Sequence, residues 1–529
     1  MNICHMNGRA VLLRWFCAVI MMVLMIDTAS AIPAFARKYQ SNCALCHSSE
    51  PRLTPFGQKF LENGYQFPGT TDGDDAAKIK LDGAQGPVTL DTLSNMMAVR
   101  IRADILSASF REITDDMQSE GVDDRVSQNF PTIINFFFGG TATKNISYFL
   151  EAEYNTMEAH GGDTAVIFER AFMQFSNLGG AQGVANLKAG RFDPSFLFSF
   201  PTHRQQMNPI LPIADTDKYP PEINRIPVLP LAFSTKIFGL STATADAGSL
   251  VDAGFDEGFS ILPFEPYLYN SPFQNSISIH GRPWGDASAL LYQIGVALND
   301  KAGGEKQRTD VYGMLRYDFQ VSHVTAQVSG FYYYAPEASM ATLININTGN
   351  SMASMNDPSD NVIVYAINAT DMTRLGIGAR AQWGDFDVYG AYIVDNIDQP
   401  EWAAAPLQTS EWETDAGGVS LELDWRFHAK WMFGLRYDWM KTAGLSRLPA
   451  MATATGSAND PINPDVQFIS PIIKYYPSPN IGLYARAHVN LTSSTTLPDT
   501  AGRITGLEGQ EHPASNLKSI YTIGVDMAF

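Results

Sequence analysis

Two cysteines separated by two residues and followed directly by a histidine occur at Cys43, Cys46 and His47. This spacing is the attachment signature of a c-type haem. Two thiols must reach the two vinyl groups of one porphyrin, while the neighbouring imidazole ligates its iron. The motif therefore predicts one covalent haem c, held by Cys43 and Cys46, with His47 as an axial ligand of the iron.

Other uses of a cysteine pair fit the rest of the chain less well. The chain has four cysteines, and the other two, Cys4 and Cys17, lie far upstream. A structural zinc site needs a second pair or a Cys/His set. A thioredoxin-like pair follows a strand of a βαβ unit, which the residues before Cys43 do not predict. A disulfide between Cys43 and Cys46 stays open as the simplest alternative.

The first residues predict export from the cytoplasm. Arg9 precedes and Arg14 interrupts an apolar run, and Ala29-Ser30-Ala31 forms an A-x-A cleavage site. This is the pattern of a secretory signal peptide, so residues 1–31 are assigned to it and excluded from the fold. Export is consistent with haem attachment outside the cytoplasm.

The charge and hydropathy of the chain exclude some classes of protein. The formal net charge is -19, which argues against a nucleic-acid partner because such proteins carry a basic surface. An acidic surface either favours cations as partners or is simply solvated. After the signal peptide, no run reaches the roughly 18 apolar residues of a transmembrane helix, so a barrel is the remaining way into a membrane.

From about residue 95, segments of roughly ten residues alternate apolar and polar side chains, as lipid-facing and lumen-facing positions must. In 431–439 one face consists of Trp, Phe, Leu, Tyr and Trp, whereas the other carries Gly434, Arg436 and Asp438. The chain ends on an amphipathic segment that closes with Phe529, which resembles the recognition signal of bacterial outer-membrane barrels. The aromatic residues near segment ends favour interfacial girdles over a soluble β-sandwich.

These segments predict an even number of strands joined alternately by short and long connections, as outer-membrane barrels have. We therefore predict a mainly β fold, a transmembrane antiparallel β-barrel of about 16 strands over 95–529. It lies in the bacterial outer membrane with both termini in the periplasm, and a short N-terminal α-helical c-type cytochrome segment precedes it. The predicted strands lie near 96–109, 131–142, 146–157, 165–176, 185–192, 274–283, 287–299, 308–319, 323–334, 372–383, 385–395, 417–427, 430–441, 466–476, 480–492 and 518–529.

The cytochrome segment, residues 32–70, is too short to enclose a haem. Chains below about 40 residues rarely bury enough surface to fold alone. Thr54-Pro55 predicts the start of one helix and Asn63-Gly64 its end, while 71–94 reads as a linker. We therefore expect the barrel to supply the missing walls, with the haem segment in the lumen or at its periplasmic mouth.

Lumen-facing side chains supply candidate partners for the haem. Met96 shares the lumen face of the first predicted strand and is the candidate distal ligand of the iron; His488 and His323 are placed inward by the same phase. Inward arginines either bind the haem propionates or pair with inward acids in a charge ladder. The arginines are Arg100, Arg102, Arg316, Arg374, Arg380, Arg426, Arg436 and Arg486, and the acids are Asp104, Glu151, Glu153, Asp318, Glu422, Asp424 and Asp438.

Two long connections carry further predictions. The connection of about 192–273 is longer than a loop that only joins two strands. It therefore either folds inward to narrow the pore or contains another pair of strands. An acidic cluster in the first long loop either collects Fe(II) or is a solvated loop. It comprises Asp115, Asp116, Glu120, Asp123 and Asp124.

Around the haem motif, the chain reads Pro33-Ala-Phe-Ala-Arg37 before it and Pro51-Arg-Leu-Thr-Pro-Phe-Gly57 after it. With the signal peptide and the barrel, these residues resemble the fused monohaem cytochrome–porins of bacterial outer membranes, of the iron-oxidase type. The resemblance implies electron transfer from extracellular Fe(II) to the haem and then to a periplasmic cytochrome or other carrier. As an enzyme, such a protein would be an Fe(II):cytochrome c oxidoreductase embedded in outer-membrane lipid.

Two other functions remain open at this stage. The same haem could pass electrons outward to an extracellular acceptor. Alternatively, the chain is a diffusion porin in which the haem serves as a plug or sensor. The residues do not distinguish these possibilities, because the direction of flow depends on a reduction potential and a partner.

Overall fold

The computed structural model describes a barrel and a segment inside it. The described residues are 34–49, 52–67, 79–80, 89–90, 93–111, 125–155, 166–192, 274–285, 287–300, 307–339, 342–343, 364–365, 370–397, 412–413, 415–441, 444–445, 466–491 and 517–529. The predicted signal peptide and the two long connections discussed above lie outside them.

Sixteen strands form one closed antiparallel barrel, which confirms the predicted fold class and strand number. Each strand pairs with its neighbours in chain order, and the last strand pairs with the first. They are β1 Met97–Arg111, β2 Arg125–Thr143, β3 Ile146–Asn155, β4 Val166–Phe175, β5 Asn186–Phe192, β6 Gln274–Gly281, β7 Leu290–Asp300, β8 Gln307–Val321, β9 Val324–Ser339, β10 Thr370–Trp383, β11 Phe386–Ile397, β12 Asp415–His428, β13 Trp431–Lys441, β14 Val466–Ser478, β15 Ile481–Asn490 and β16 Leu517–Ala528.

The alternation of side chains along the strands has the predicted phase. Leu375, Ile377 and Leu421 are exposed on the outside, whereas Arg374 and Glu422 are buried on the lumen side. Successive strand residues point to opposite faces, so apolar residues at every second position give the barrel an apolar outer surface. Such a surface suits contact with lipid rather than water.

Aromatic side chains cluster on the outer surface where strands meet short turns. Trp383 stacks on Phe386 across one such turn, with ring centroids 5.6 Å apart, and Phe386 stacks on Trp425 of the next strand at 5.8 Å. Trp431 packs against Tyr475 at 4.7 Å in the same region. These rings form the girdle that the sequence predicted near strand ends.

Short connections lie at one end of the barrel, which we call the short-turn end. The chain enters β1 and leaves β16 at this end, where the backbone N–H groups of Val99 and Phe529 each donate to the other residue's carbonyl, at 3.1 and 2.8 Å. The seam between β16 and β1 is therefore bonded up to the last residue. The short connections are 144–145, 176–185, 282–289, 322–323, 384–385, 429–430 and 479–480.

Strand β2 begins six residues earlier than the sequence predicted, at Arg125 rather than Pro131. Proline lacks the N–H that a ladder needs, so it argues against a continuous strand. Here the pairing with β1 is irregular on both sides of Asp104, and the Thr132 hydroxyl accepts a hydrogen bond from the Asp104 backbone N–H at 2.8 Å. The bulge and the side chain accommodate the proline.

The N-terminal segment contains short helices that lie against the barrel: α1 Ala34–Tyr39, α2 Cys43–Cys46 and α3 Pro55–Glu62, followed by α4 Leu93–Met96 before β1. The part of the chain that the structure describes also contains four pairs of short strands, His47–Ser49 with Arg52–Leu53, Ile79–Lys80 with Thr89–Leu90, Thr342–Leu343 with Val364–Tyr365, and Trp412–Glu413 with Gly444–Leu445. Within the described residues, no helix has both the length and the apolar character to cross a membrane.

Candidate functional site

The CxxCH motif contains a single helical turn, α2, that runs from Cys43 to Cys46. The Asn42 side chain caps it by accepting a hydrogen bond from the Ala44 N–H at 3.0 Å. The backbone N–H of His47 donates to the Cys43 carbonyl, and His47 then continues as a short strand. The turn therefore brings the thiols of Cys43 and Cys46 and the imidazole of His47 together in one compact segment.

The helix that follows holds one side of this turn. The Thr54 hydroxyl donates to the Leu45 carbonyl at 2.6 Å, and the Thr54 N–H donates to the Cys46 carbonyl at 2.8 Å. The same hydroxyl caps α3 by accepting from the Gly57 N–H at 3.1 Å, which confirms the predicted helix start. Gly57 touches Cys46 so closely that a Cβ atom would lie 2.2 Å from the Cys46 carbonyl oxygen.

The opposite side of the turn is open. Ala44 is exposed and the apolar side chain of Leu45 is 38 % exposed, while the helix behind them is buried. Cys43 and Cys46 are half-buried thiols and are not joined as a disulfide. Burial raises the pKa of the Cys46 thiol to about 11. Two thiols, an imidazole and an uncovered apolar face suit a covalently attached planar group such as haem.

The described residues 34–49 and 52–67, which we call the plug, are anchored in the lumen by a buried arginine. The Arg52 side chain is 2 % exposed, bonds to Glu422, and lies 3.3 Å from the Asp387 carboxylate and 3.0 Å from that of Asp424. Burial alone would lower the pKa of Arg52, but the carboxylates of Asp424, Asp387 and Glu422 raise it above its ordinary value. Strands β11 and β12 thus grip one side of the plug through charge.

A second buried charge anchors the plug to a different part of the wall. Glu62, the last residue of α3, lies 2.9 Å from the guanidinium of Arg282 and 2.5 Å from that of Arg316. Gln58 bonds to Gln327 of β9 through their side-chain amides. The plug therefore crosses the lumen with opposite charges at its two anchors, each matched by the opposite charge on the wall.

An aromatic core joins the plug to β3, β4 and β5. Phe60, Leu61 and Tyr65 of the plug are buried with Phe149 and Phe172 of the wall. Tyr65 stacks on Phe149 with ring centroids 5.1 Å apart, and such pairs add to the free energy of burying the rings. The Gln66 side chain donates to the carbonyl of Lys144 in a short connection at 3.0 Å. These contacts place the plug at the short-turn end, in agreement with the expectation that the barrel supplies its walls.

The residue after His47 is held directly by the barrel. The Arg426 side chain of β12 donates to the Ser48 carbonyl at 2.8 Å, and the Ser48 hydroxyl donates to the Asp387 carboxylate at 3.2 Å. Asp387 also accepts from Arg380 at 2.9 and 2.5 Å. Both the backbone and the side chain of Ser48 are thus tied to strands β11 and β12.

Most of the inward arginines pair with inward acids. Arg100 bonds to Asp526, and Arg486 lies 3.3 Å from Asp104. Arg316 and Arg436 lie 2.8 Å from Asp318 and Asp438, respectively. Arg102 and Arg374 are inside the barrel as predicted, and Arg170 bonds to Glu151. This is the charge ladder, which Arg426 extends onto the plug.

The other candidate residues are only partly brought together. Met96 ends the short helix α4 rather than lying on the first strand, and its sulfur accepts a hydrogen bond from the Tyr148 hydroxyl at 2.9 Å. His488 is buried in the lumen beside Ser470, as its phase predicted. His323 was expected to face inward, but it lies exposed in the connection 322–323, where strand phase no longer applies. The acidic cluster of the first loop falls outside the described residues.

The sequence reasoning missed the two charged plug residues, Arg52 and Glu62. Both belong to the short segment that carries the CxxCH motif. This segment is too short to show a regular alternation of polar and apolar residues, so the sequence does not indicate that these charged side chains face the barrel wall. A hint was available, because Glu62 directly follows the apolar face of a helix that was expected to need covering. In the described part of the chain, no group of three His, Cys, Asp or Glu side chains is arranged to hold a metal ion.

Comparisons with known proteins find no matching family model and no matching curated protein. Solved porins align over most of the chain. OmpF of Salmonella typhi in complex with daunomycin is 11 % identical, with coverage of 85 % of this chain and 100 % of that chain and a TM-score of 0.42. OprB of Pseudomonas putida is 9 % identical, covering 82 % and 94 %, with a TM-score of 0.44. An anion-selective porin of Comamonas acidovorans is 12 % identical, covering 82 % and 99 %, with a TM-score of 0.40. Similarity at this level says nothing of what this chain binds.

Proposed function

We propose that this chain is an outer-membrane electron conduit, in which one haem c on Cys43 and Cys46, ligated by His47, passes electrons from extracellular Fe(II) to a periplasmic carrier. The observation that carries the proposal is the position of the attachment motif. It is fixed inside a closed barrel by buried ion pairs rather than on a free domain. A haem bound there would lie within the barrel, so haem binding and membrane spanning would be combined in one structural unit.

The outer surface supports the membrane location. Apolar residues at every second position and rings beside the short turns are the two features that lipid and its interfaces select. In barrels of this kind the short turns lie in the periplasm. The plug at the short-turn end would then face the compartment where a soluble carrier is available.

The residues of the chain have separate tasks in this scheme. A haem held there would supply one-electron redox chemistry between Fe(II) and the carrier. Cys43 and Cys46 would hold the group covalently, and His47 would ligate its iron through the imidazole. Arg52 and Glu62 hold the plug in the lumen. Fe(III) would then form on the side of the plug that faces the cell exterior, and the carrier would stay on the side that faces the periplasm.

Met96 remains the candidate for the second axial ligand. A thioether ligand raises the potential of a haem, which suits acceptance of electrons from a mild donor. A Met96→Leu variant should lose the methionine-to-iron absorption band of the oxidised protein. Retention of this band in the variant would exclude Met96 as the ligand.

The experiment uses full-length protein purified from outer membranes in detergent. The mass of the chain should increase by one haem, and the Cys43→Ser and Cys46→Ser variants should disturb that attachment. Anaerobic addition of Fe(II) should then reduce the haem, as followed by absorbance at several pH values. Reduction by dithionite but not by Fe(II) would refute iron oxidation.

The two alternative functions give different outcomes in the same preparation. Rapid oxidation of the reduced haem by an added extracellular-type acceptor, without reduction by Fe(II), would indicate outward electron transfer. Large conductance in planar bilayers that is indifferent to the redox state of the haem would indicate a diffusion porin with a haem plug.

A further inference from the structure

We propose that Arg426 and Asp387 of the barrel wall are positioning residues for His47. The inference rests on the proposed function, because His47 matters as a ligand only if haem is attached. It goes beyond that function by assigning the placement of the ligand to the barrel rather than to the short haem-binding peptide.

The first step of the argument concerns the backbone around His47. Its N–H is bonded to the Cys43 carbonyl, and its strand pairs with Leu53, so His47 lies opposite that residue. These contacts fix His47 relative to the plug. They do not fix the plug relative to the wall, since all three residues belong to the same segment.

The second step concerns the residue that follows. Ser48 makes two bonds to two different strands: its carbonyl accepts from Arg426 at 2.8 Å, and its hydroxyl donates to Asp387 at 3.2 Å. A main-chain and a side-chain bond together hold the position and the orientation of Ser48. Because His47 is joined directly to Ser48 in the chain, its freedom is limited by β11 and β12.

The third step concerns Asp387 as a shared acceptor. Its carboxylate, which is almost fully buried, accepts from Ser48 and also from Arg52 at 3.3 Å, Arg380 at 2.5 Å and Gln382 at 2.9 Å. The same wall residue thus holds the plug at both Ser48 and Arg52. Groups that orient a metal-ligating histidine tune the metal even though they do not touch it.

The test compares three variants of the haem-loaded, full-length protein. Arg426→Gln removes the charged donor to the Ser48 carbonyl, Ser48→Ala removes the hydroxyl that Asp387 accepts, and Arg426→Lys keeps a charged donor. Arg100→Gln is the matched control, because Arg100 is a lumen arginine paired with Asp526 on the seam strands. Ser48→Ala deletes a single oxygen atom, so it keeps the proposal testable if Arg426→Gln folds poorly.

Three readouts separate positioning from general damage. The midpoint potential, measured by titration with dithionite, and the axial-ligand signature in the electron paramagnetic resonance spectrum should shift in Arg426→Gln and Ser48→Ala. Both should return toward wild type in Arg426→Lys. Amide hydrogen exchange of the peptide that contains 43–49 should accelerate about tenfold in Arg426→Gln, as the loss of a hydrogen bond to a charged group predicts.

The outcomes distinguish this proposal from the proposed function. Potentials and spectra identical to those of wild type and Arg100→Gln would overturn the positioning role, even if Fe(II) reduces the haem. Shifted potentials in a protein that Fe(II) does not reduce would support positioning while refuting iron oxidation. Absence of haem from the wild-type chain would overturn both.

Discussion

Replacement of Arg52 by methionine should release the plug from the barrel. Arg52 is a buried guanidinium shared by three carboxylates. Methionine keeps an unbranched apolar stem but carries no charge to neutralise these carboxylates. Asp387 would keep Arg380, whereas Glu422 and Asp424 would lose the guanidinium they share.

The magnitude follows from the burial of these groups. Removal of one partner from a buried ion pair costs about 3–5 kcal/mol, because the remaining charge is not hydrated. At about 1.4 kcal/mol for each factor of ten, the undocked population of the plug should rise by more than about a hundredfold. The barrel strands keep their own ladders, so we expect the plug to leave without unfolding of the barrel.

The assay is limited trypsin digestion of the purified protein in liposomes, with single-channel conductance measured in parallel. In Arg52→Met, cleavage after Lys59 should become fast and conductance should rise, whereas Arg52→Lys should lie between the variant and wild type. Arg100→Met is the control, since its pair with Asp526 is on the seam. Addition of Glu422→Gln and Asp424→Asn to Arg52→Met should recover part of the lost protection. If Arg52→Met resisted trypsin as well as the wild type does, Arg52 would not be an anchor of the plug.

Further predictions concern the motif and the membrane surface. Gly57→Ala should lower the haem content per chain, because its Cβ would collide with the Cys46 carbonyl; Gly330→Ala, which meets open space, should not, and equal haem content would contradict the close contact. In haem-free protein, alkylation of Cys46 should keep accelerating up to about pH 11, since only the thiolate reacts and burial raises its pKa from 9.0 to about 11. The raised pKa favours the neutral thiol in the folded plug, so the packing of α2 against α3 should weaken as the pH rises through this window; a rate that levels off as in denatured protein would argue against burial. Ile377→Arg on the outer face, where Ile377 is 62 % exposed, should cost about 2–4 kcal/mol in urea titrations of folding into vesicles. Ile377→Ala should cost much less, and equal losses would argue that this face does not contact lipid.

The order of the strands and the residues that face the lumen could be predicted from the sequence, because side chains alternate between the two faces of a strand and connections alternate between short and long. Alternation in 431–439 and 417–427 gave the correct lumen face, and the short connections gave the correct pairing. The start of β2 was wrong, since Pro131 is compatible with the strand only through a bulge and the Thr132 side chain, which no local pattern announces.

The sequence predicted that the haem segment must be covered by other residues, but it did not predict which residues of the barrel contact it. The shortness of the segment showed that something must cover it, and Thr54 and Asn63 gave the limits of its helix. The partners Glu422 and Arg316 lie hundreds of residues away in the chain, so their pairing with Arg52 and Glu62 depends on closure of the barrel. Charge alternation on a strand does not reveal whether a lumen acid faces another strand or a plug.

The distribution of plug contacts around the wall has a consequence for biogenesis. The plug contacts the wall from the connection 144–145, before β3, round to β12. The barrel closes where the backbone of Phe529 pairs with that of Val99. If haem is attached to Cys43 and Cys46, the enzyme that attaches it must reach them while the peptide is still accessible. Attachment before the barrel closes would find the whole peptide accessible, whereas attachment afterwards would have to use the open side of the turn at Ala44 and Leu45.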